Sequence, residues 1–135
     1  MLWLFDTSFV VDLFMHEGSA LKLAEKTKDS PAIRAVSTVT VHEVLRGIYY
    51  LYEGKTLGEK LRLAEEGLNQ FDIIPYTYDI ATRAALVDAD LVKAGCMLPF
   101  ADVVIGATAL FYGLTLITKN TAHFNRVKHL MVEGY

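Results

Sequence analysis

Residues 2–5, Leu-Trp-Leu-Phe, form an unbroken apolar run, too short for a helix, that stops at Asp6-Thr7-Ser8. Side chains of those three types open helices and bond to their own backbone, so the pattern predicts a buried strand feeding a helix. Further strand candidates lie at 33–37, at 71–76 with Pro75 favouring an edge position, at 114–118, and more weakly around 130–132. Between them the apolar positions space at three and four. That spacing predicts helices from Thr7 or Ser8 to 15, over 19–28 with Leu21, Leu23 and Ala24 inward, over 41–52, and over 57–69 with Leu57, Leu61, Ala64 and Leu68 inward. Two more are expected, one capped by Asp79 and ending at Gly95, and one opened by Pro99 and closed after residue 112 by Gly113. Four or five strands alternating with helices imply an α/β fold with a mostly parallel sheet and right-handed crossovers.

Composition narrows this to one domain over 1–135. A chain of 135 residues that is 53% hydrophobic buries a sizeable core, and disorder is excluded. A net charge of −3 argues against a broad basic face for nucleic acid, so such a partner would need a local patch or a bound cation. The single cysteine, Cys96, forms no internal disulfide, and no basic segment precedes a long apolar one at the N-terminus; a reducing, cytoplasmic location is expected. The weakly polar stretch 94–118 contains Pro99, Asp102 and glycines, and reads as a buried helix plus a strand rather than a membrane span.

Three acids stand out by isolation. Asp6 is the only charge in residues 1–11, Asp102 the only one in 94–118, and Glu43 the only acid in 31–51. Each has an ordinary alternative: Asp6 as a helix cap, Thr40-x-x-Glu43 as a capping box, and Asp102 as an anion in a first helical turn. Together they point elsewhere, because strand ends and the helix starts that follow them converge on one edge of a parallel sheet, where ligands bind. Two carboxylates about 4 Å apart repel by roughly 4 kcal/mol at an effective dielectric of 20. A divalent cation removes that repulsion, and oxygen ligands without a His-Glu-x-x-His helix or paired cysteines favour Mg²⁺ or Mn²⁺ over zinc. The segment 117–124 follows the fourth strand to the same edge. There Thr118 is placed to hold a water, and Asn120 either caps a helix or lends a neutral oxygen to the metal shell.

Asp-Thr-Ser after the first strand, Thr-x-x-Glu opening a later helix, Phe-Ala-Asp-Val-Val-Ile-Gly-Ala-Thr-Ala-Leu and Leu-Ile-Thr-Lys-Asn-Thr-x-His-Phe, in that order, resemble the PIN-domain ribonucleases. The nearest likeness is to the VapC-type toxins of toxin-antitoxin pairs. The resemblance implies a three-layer PIN-like fold and metal-dependent endonucleolytic cleavage of RNA leaving a 5′-phosphate and a 3′-hydroxyl. It also implies Asp6, Glu43 and Asp102 as metal-binding acids, Thr118 as the hydroxyl before the fourth site, a cognate antitoxin chain and a homodimer. Asn120 replaces the Asp often found at its position, so one firmly held cation is expected and a second one weak. Arg46, one turn after Glu43, and Lys119 are the candidates for RNA contact, whereas Arg126 and Lys128 read as solvated charges. His16, His42, His123 and His129 show no metal spacing, with His123 expected to pack or cap in its loop; Asp12, Asp88 and Asp90 read as surface acids. Tyr49, Tyr50 and Tyr52 suggest a dimer or antitoxin surface, or else core packing. Rival readings are an inactive PIN-like binding module and a receiver-like phosphoacceptor domain; a haloacid-dehalogenase-like phosphatase would want an Asp where Ser8 stands.

Overall fold

A computed structural model of the chain describes residues 2–135. Five strands, β1 (Leu2–Phe5), β2 (Ile33–Ser37), β3 (Asp72–Ile74), β4 (Thr115–Ile117) and β5 (Val132–Glu133), form one sheet in the order β3-β2-β1-β4-β5. All pairings are parallel, with Leu4 opposite both Ala35 and Leu116. The helices are α1 (Thr7–Phe14), α2 (Gly18–Thr27), α3 (Thr38–Leu51), α4 (Gly54–Leu68), α5 (Tyr78–Lys93), α6 (Phe100–Tyr112) and the short α7 (Thr121–Phe124).

The period-2 alternation of the central strands builds three layers. Phe5, Val36 and Ile117 face one way and pack with Phe9, Ala20, Val44, Ala64 and Leu68 from the first four helices. Leu4, Ala35 and Leu116 face the other way, against Ile105 and Ala109 of α6 and Phe124. Helix α6 is buried over seven consecutive positions, 103–109, which is why its sequence is apolar all round. The chain leaves β1 toward β2 and β3 and later returns to the other side of β1 for β4 and β5. The crevice between the carboxyl ends of β1 and β4 is therefore the topological switch point, where open α/β sheets bind ligands.

At three helices the start or cap differs from the sequence expectation because a different polar side chain takes the orphan N–H groups. Helix α1 is capped by Asp6 itself. Helix α3 begins three residues earlier than the apolar spacing suggests, since Ser37 at the end of β2 accepts the Val39 N–H (3.1 Å); Thr40 and Glu43 lie inside the helix and form no capping box. Thr77, not Asp79, caps α5. In α2, Leu23 and Ala24 pack against the core as expected and Ala20 is fully buried beside them, whereas Leu21 is 40% exposed. Gly113 ends α6 in the left-handed region (φ 66°), as expected. Tyr49 and Tyr50 are exposed, which rules out core packing for them, while the half-buried Tyr52 lies 5.2 Å beneath the Lys60 ammonium.

Candidate active site

Asp6 follows the last residue of β1 at the switch point, its N–H donating to the Ile117 carbonyl of β4 (2.9 Å). Only 3% of its surface is exposed, so its carboxylate must be compensated within the protein. Three donors do this: the Thr7 N–H reaches Oδ1 (2.8 Å), and the hydroxyls of Thr118 (2.7 Å) and Ser8 (3.1 Å) reach Oδ2. The Asp-Thr-Ser run thus provides a carboxylate with its own bonding partners. Thr118 is fully buried, gives its hydroxyl proton to Asp6 and accepts the Asn120 N–H (3.0 Å). Thr118 therefore acts in this structure as the partner that orients Asp6 and the Asn120 backbone.

Glu43 projects from the second turn of α3, and its Oε1 accepts the Thr7 hydroxyl (2.7 Å). Thr7 lies 3.0 Å from the Thr40 hydroxyl; having given its one proton to Glu43, it accepts the proton of Thr40. Asp102 stands in the first turn of α6, and its Oδ2 is 2.9 Å from His123 Nε2. Burial holds the Asp102 carboxyl above the ordinary range. The negative charge of Asp6 pushes the same way and so, more weakly, does that of Glu43, while His123 opposes them. Acids from β1, α3 and α6 therefore share one electrostatic field.

Each acid is pinned by its own donor, and among the described residues no three His, Cys, Asp or Glu side chains form a ready-made chelate. Glu43 Oε2 and Asp102 Oδ1 take no hydrogen bond from the described protein, whereas both oxygens of Asp6 are engaged. Hard oxygens from few carboxylates, pointing into a shared negative field, fit a cation that keeps most of its water, as Mg²⁺ does. Asn120 is at the N-cap position of α7, but its side chain makes no capping bond, which corrects the cap alternative.

The two candidate RNA contacts differ. Arg46 is exposed one turn beyond Glu43. Lys119 is paired with Asp12, its Nζ 3.0 and 3.2 Å from the two carboxylate oxygens. Asp12 also accepts the Tyr135 hydroxyl (2.6 Å), and it is held below the usual carboxylate range chiefly by that bond and secondarily by Lys119. Asp12 is thus a tie between α1 and the C-terminal segment rather than a solitary surface acid. Sequence reasoning did not assign Thr7, Thr40 or His123 to the site. The signal lay in the same motifs, whose hydroxyl and imidazole positions flank each acid. Beside Glu43 an apolar cavity of about 610 Å³ opens between α1, α3 and α4, with Phe14, Ile48, Leu63 and Arg34 in its walls.

The PIN domain family model matches residues 3–130. A VapC ribonuclease from Pyrococcus furiosus is 31% identical over 114 residues, 84% of this chain and 72% of that protein. Among solved structures, VapBC2 from Rickettsia felis, bound to a DNA fragment from its promoter, superposes with a TM-score of 0.87 at 20% identity, covering 100% of this chain and 99% of its own. A toxin-antitoxin complex from Klebsiella pneumoniae gives 0.72 at 30% identity, with coverages of 95% and 94%.

Proposed function

Because this chain belongs to the PIN-domain family, we propose that it is a VapC-type endoribonuclease whose site is the acid cluster at the carboxyl edge of the sheet, in a single domain spanning 1–135. The observation that carries the site assignment is the set of contacts that ties the acids to one sheet edge: Thr118 after β4 bonds Asp6 (2.7 Å), Thr7 beside Asp6 bonds Glu43 (2.7 Å), and His123 of α7 lies 2.9 Å from Asp102. Acids gathered from distant parts of a sequence at one edge are costly to a fold unless a cation uses them.

Mg²⁺ or Mn²⁺ bound there supplies charge neutralisation at a phosphate and a more acidic water for in-line attack. The chain's own contribution is positioning. Thr7 N–H, Ser8 and Thr118 fix the rotamer of Asp6, the Thr40–Thr7 pair fixes Glu43, and His123 fixes Asp102. Such outer partners hold ligating carboxylates in one geometry and are worth about 10–100-fold in activity. Arg46, exposed beside Glu43, is the side chain we assign to a substrate phosphate, and Asn120 contributes a neutral oxygen at the rim. Lys119, neutralised by Asp12, contributes less.

We place the protein in the cytoplasm, as one member of a toxin-antitoxin pair and as a homodimer through the exposed Tyr49 and Tyr50. The similarity to the Klebsiella pneumoniae complex supports the toxin-antitoxin pairing; none of the described helices is long and apolar enough to cross a membrane. The apolar cavity beside Glu43 is the surface we assign to the antitoxin, because a chain seated there covers that acid.

The test is cleavage of a mixed panel of structured RNAs by the purified chain in EDTA, Mg²⁺ or Mn²⁺, beside Asp6→Asn. Metal-dependent products carrying 5′-phosphates, lost in the variant, are expected. Absence of both cleavage and Mn²⁺-induced thermal stabilisation would return the inactive binding module as the better reading.

A further inference from the structure

A group of exposed aromatic side chains borders the acid cluster on its β3 side. Tyr76 lies in the loop after β3 and Phe100 is the first residue of α6, two positions before Asp102. Their rings stack with centroids 6.1 Å apart and planes 20° from parallel. Neither ring is buried: Tyr76 is 38% and Phe100 68% exposed, and the neighbouring Tyr78 and Met97 are exposed as well.

The backbone beneath both rings is fixed. Tyr76 follows Pro75 and precedes the α5 cap Thr77, and its N–H donates to the Thr38 hydroxyl at the start of α3 (3.2 Å), the helix that carries Glu43. Phe100 follows Pro99, the N-cap of α6. Proline restricts the loop, so the rings are held with little entropy left to lose on binding. A pair of large rings at a rim, one in the loop bonded to the start of α3 and the other opening the helix that carries Asp102, does nothing for the core. Its faces suit flat, apolar ligands with π surfaces.

Net charge points the same way. A chain of net charge −3, with Lys119 paired to Asp12, gains less from counterion release on binding RNA than a basic chain would. A substrate held next to acids must then gain contact from its bases.

We propose that Tyr76 and Phe100 form a platform on which an unpaired base of the RNA beside the scissile phosphate stacks, which makes these two rings the determinants of where the substrate is held. This rests on the endoribonuclease reading and deepens it. Bases in a duplex are stacked on each other and keep their faces hidden, whereas loop bases splay out onto aromatic rings. Stacking is tolerant of base identity, so the platform selects strandedness, not sequence.

The experiment uses a hairpin RNA with 2-aminopurine at successive loop positions, with Ca²⁺ in place of Mg²⁺ so that binding is read while the RNA stays intact; cleavage is read separately with Mg²⁺. With the wild-type chain, 2-aminopurine at one or two adjacent loop positions is expected to be quenched, and a full duplex of the same sequence to bind far more weakly. Phe100→Leu and Tyr76→Leu, which keep apolar bulk and remove the ring, are expected to abolish the quench and to raise Kd and KM about 5- to 100-fold, with kcat at saturation within about twofold. An abasic loop site should erase the difference between wild type and variants, and the affinity should fall only shallowly with salt. Unchanged Kd in both variants, equal binding of duplex, or no RNA binding by the wild type would overturn the proposal. A shift from dimer to monomer in Phe100→Leu by sedimentation, with RNA affinity unaltered, would instead assign the rings to a contact between copies. Quenching without cleavage in Mg²⁺ or Mn²⁺ would sink the nuclease reading and leave the platform standing.

Discussion

Replacing Asp102 by Asn should stabilise the metal-free protein while abolishing cleavage. Burial and the charges of Asp6 and Glu43 raise the Asp102 carboxyl above its ordinary value, which means that its ionised form is less favourable in the folded chain than in the unfolded one. Asn keeps the shape and an oxygen for His123 and removes the charge. Relief of this kind at a functional acid commonly yields about 0.5–2 kcal/mol. With about 2.1 cal/mol/K of unfolding entropy per residue, a chain of 135 residues loses roughly 0.28 kcal/mol per kelvin at its midpoint, so the expected gain in Tm is about 2–7 °C. The sign depends on pH in a definite way. In acid, below the ordinary Asp value, both chains are neutral at this position and the gain is absent. It grows as pH rises through the window between the unfolded value and the raised folded one, then stays constant. Thermal unfolding in EDTA at several pH values measures it. Mg²⁺ reverses the ranking, because a ligand at 100 times its Kd adds about 2.7 kcal/mol and the variant has lost an anionic ligand. Destabilisation by Asn in EDTA across the whole pH range, or equal stabilisation of both chains by Mg²⁺, would refute the shared-field argument.

Thr118→Val preserves shape at a fully buried position and removes both the donor to Asp6 and the acceptor of the Asn120 N–H; kcat/KM should fall about 10–100-fold and stability by about 1–3 kcal/mol, measured by RNA cleavage and urea unfolding. His123→Ala frees Asp102 and should lower cleavage about 10-fold or more while leaving the far-ultraviolet circular dichroism unchanged. Gly113→Ala forces a side chain into the left-handed region at φ 66° and should cost about 1–2 kcal/mol, seen as a Tm lower by several degrees with activity per folded molecule retained. Phe5→Ala, at a fully buried ring packed against Phe9 and Phe71, should cost about 3–5 kcal/mol and leave the chain largely unfolded in mild urea.

Much of this molecule is local in origin and therefore legible along the chain. The apolar runs that become β1 and β2 are bounded by residues that cannot continue them, and the all-apolar α6 ends where Gly113 alone can adopt the left-handed turn. The isolation of Asp6, Glu43 and Asp102 marked them because a lone charge in an apolar run needs a compensating partner wherever it lies. What compensates each one is not local. Thr118 reaches Asp6 across 112 positions and Thr7 reaches Glu43 across 36, contacts that exist only because β4 returns beside β1 and α3 crosses the same edge. For the same reason Thr118 is a buried donor to Asp6, Lys119 is spent on Asp12, and His123 orients Asp102. Helix starts shifted because several capping residues stood in a row, and propensity does not choose among Ser37, Thr38 and Thr40; the end of β2 in the sheet does, leaving Ser37 extended and its hydroxyl over the first free N–H groups. Residue types and their spacing determine which groups are costly to bury, and the order of the strands decides which of them meet.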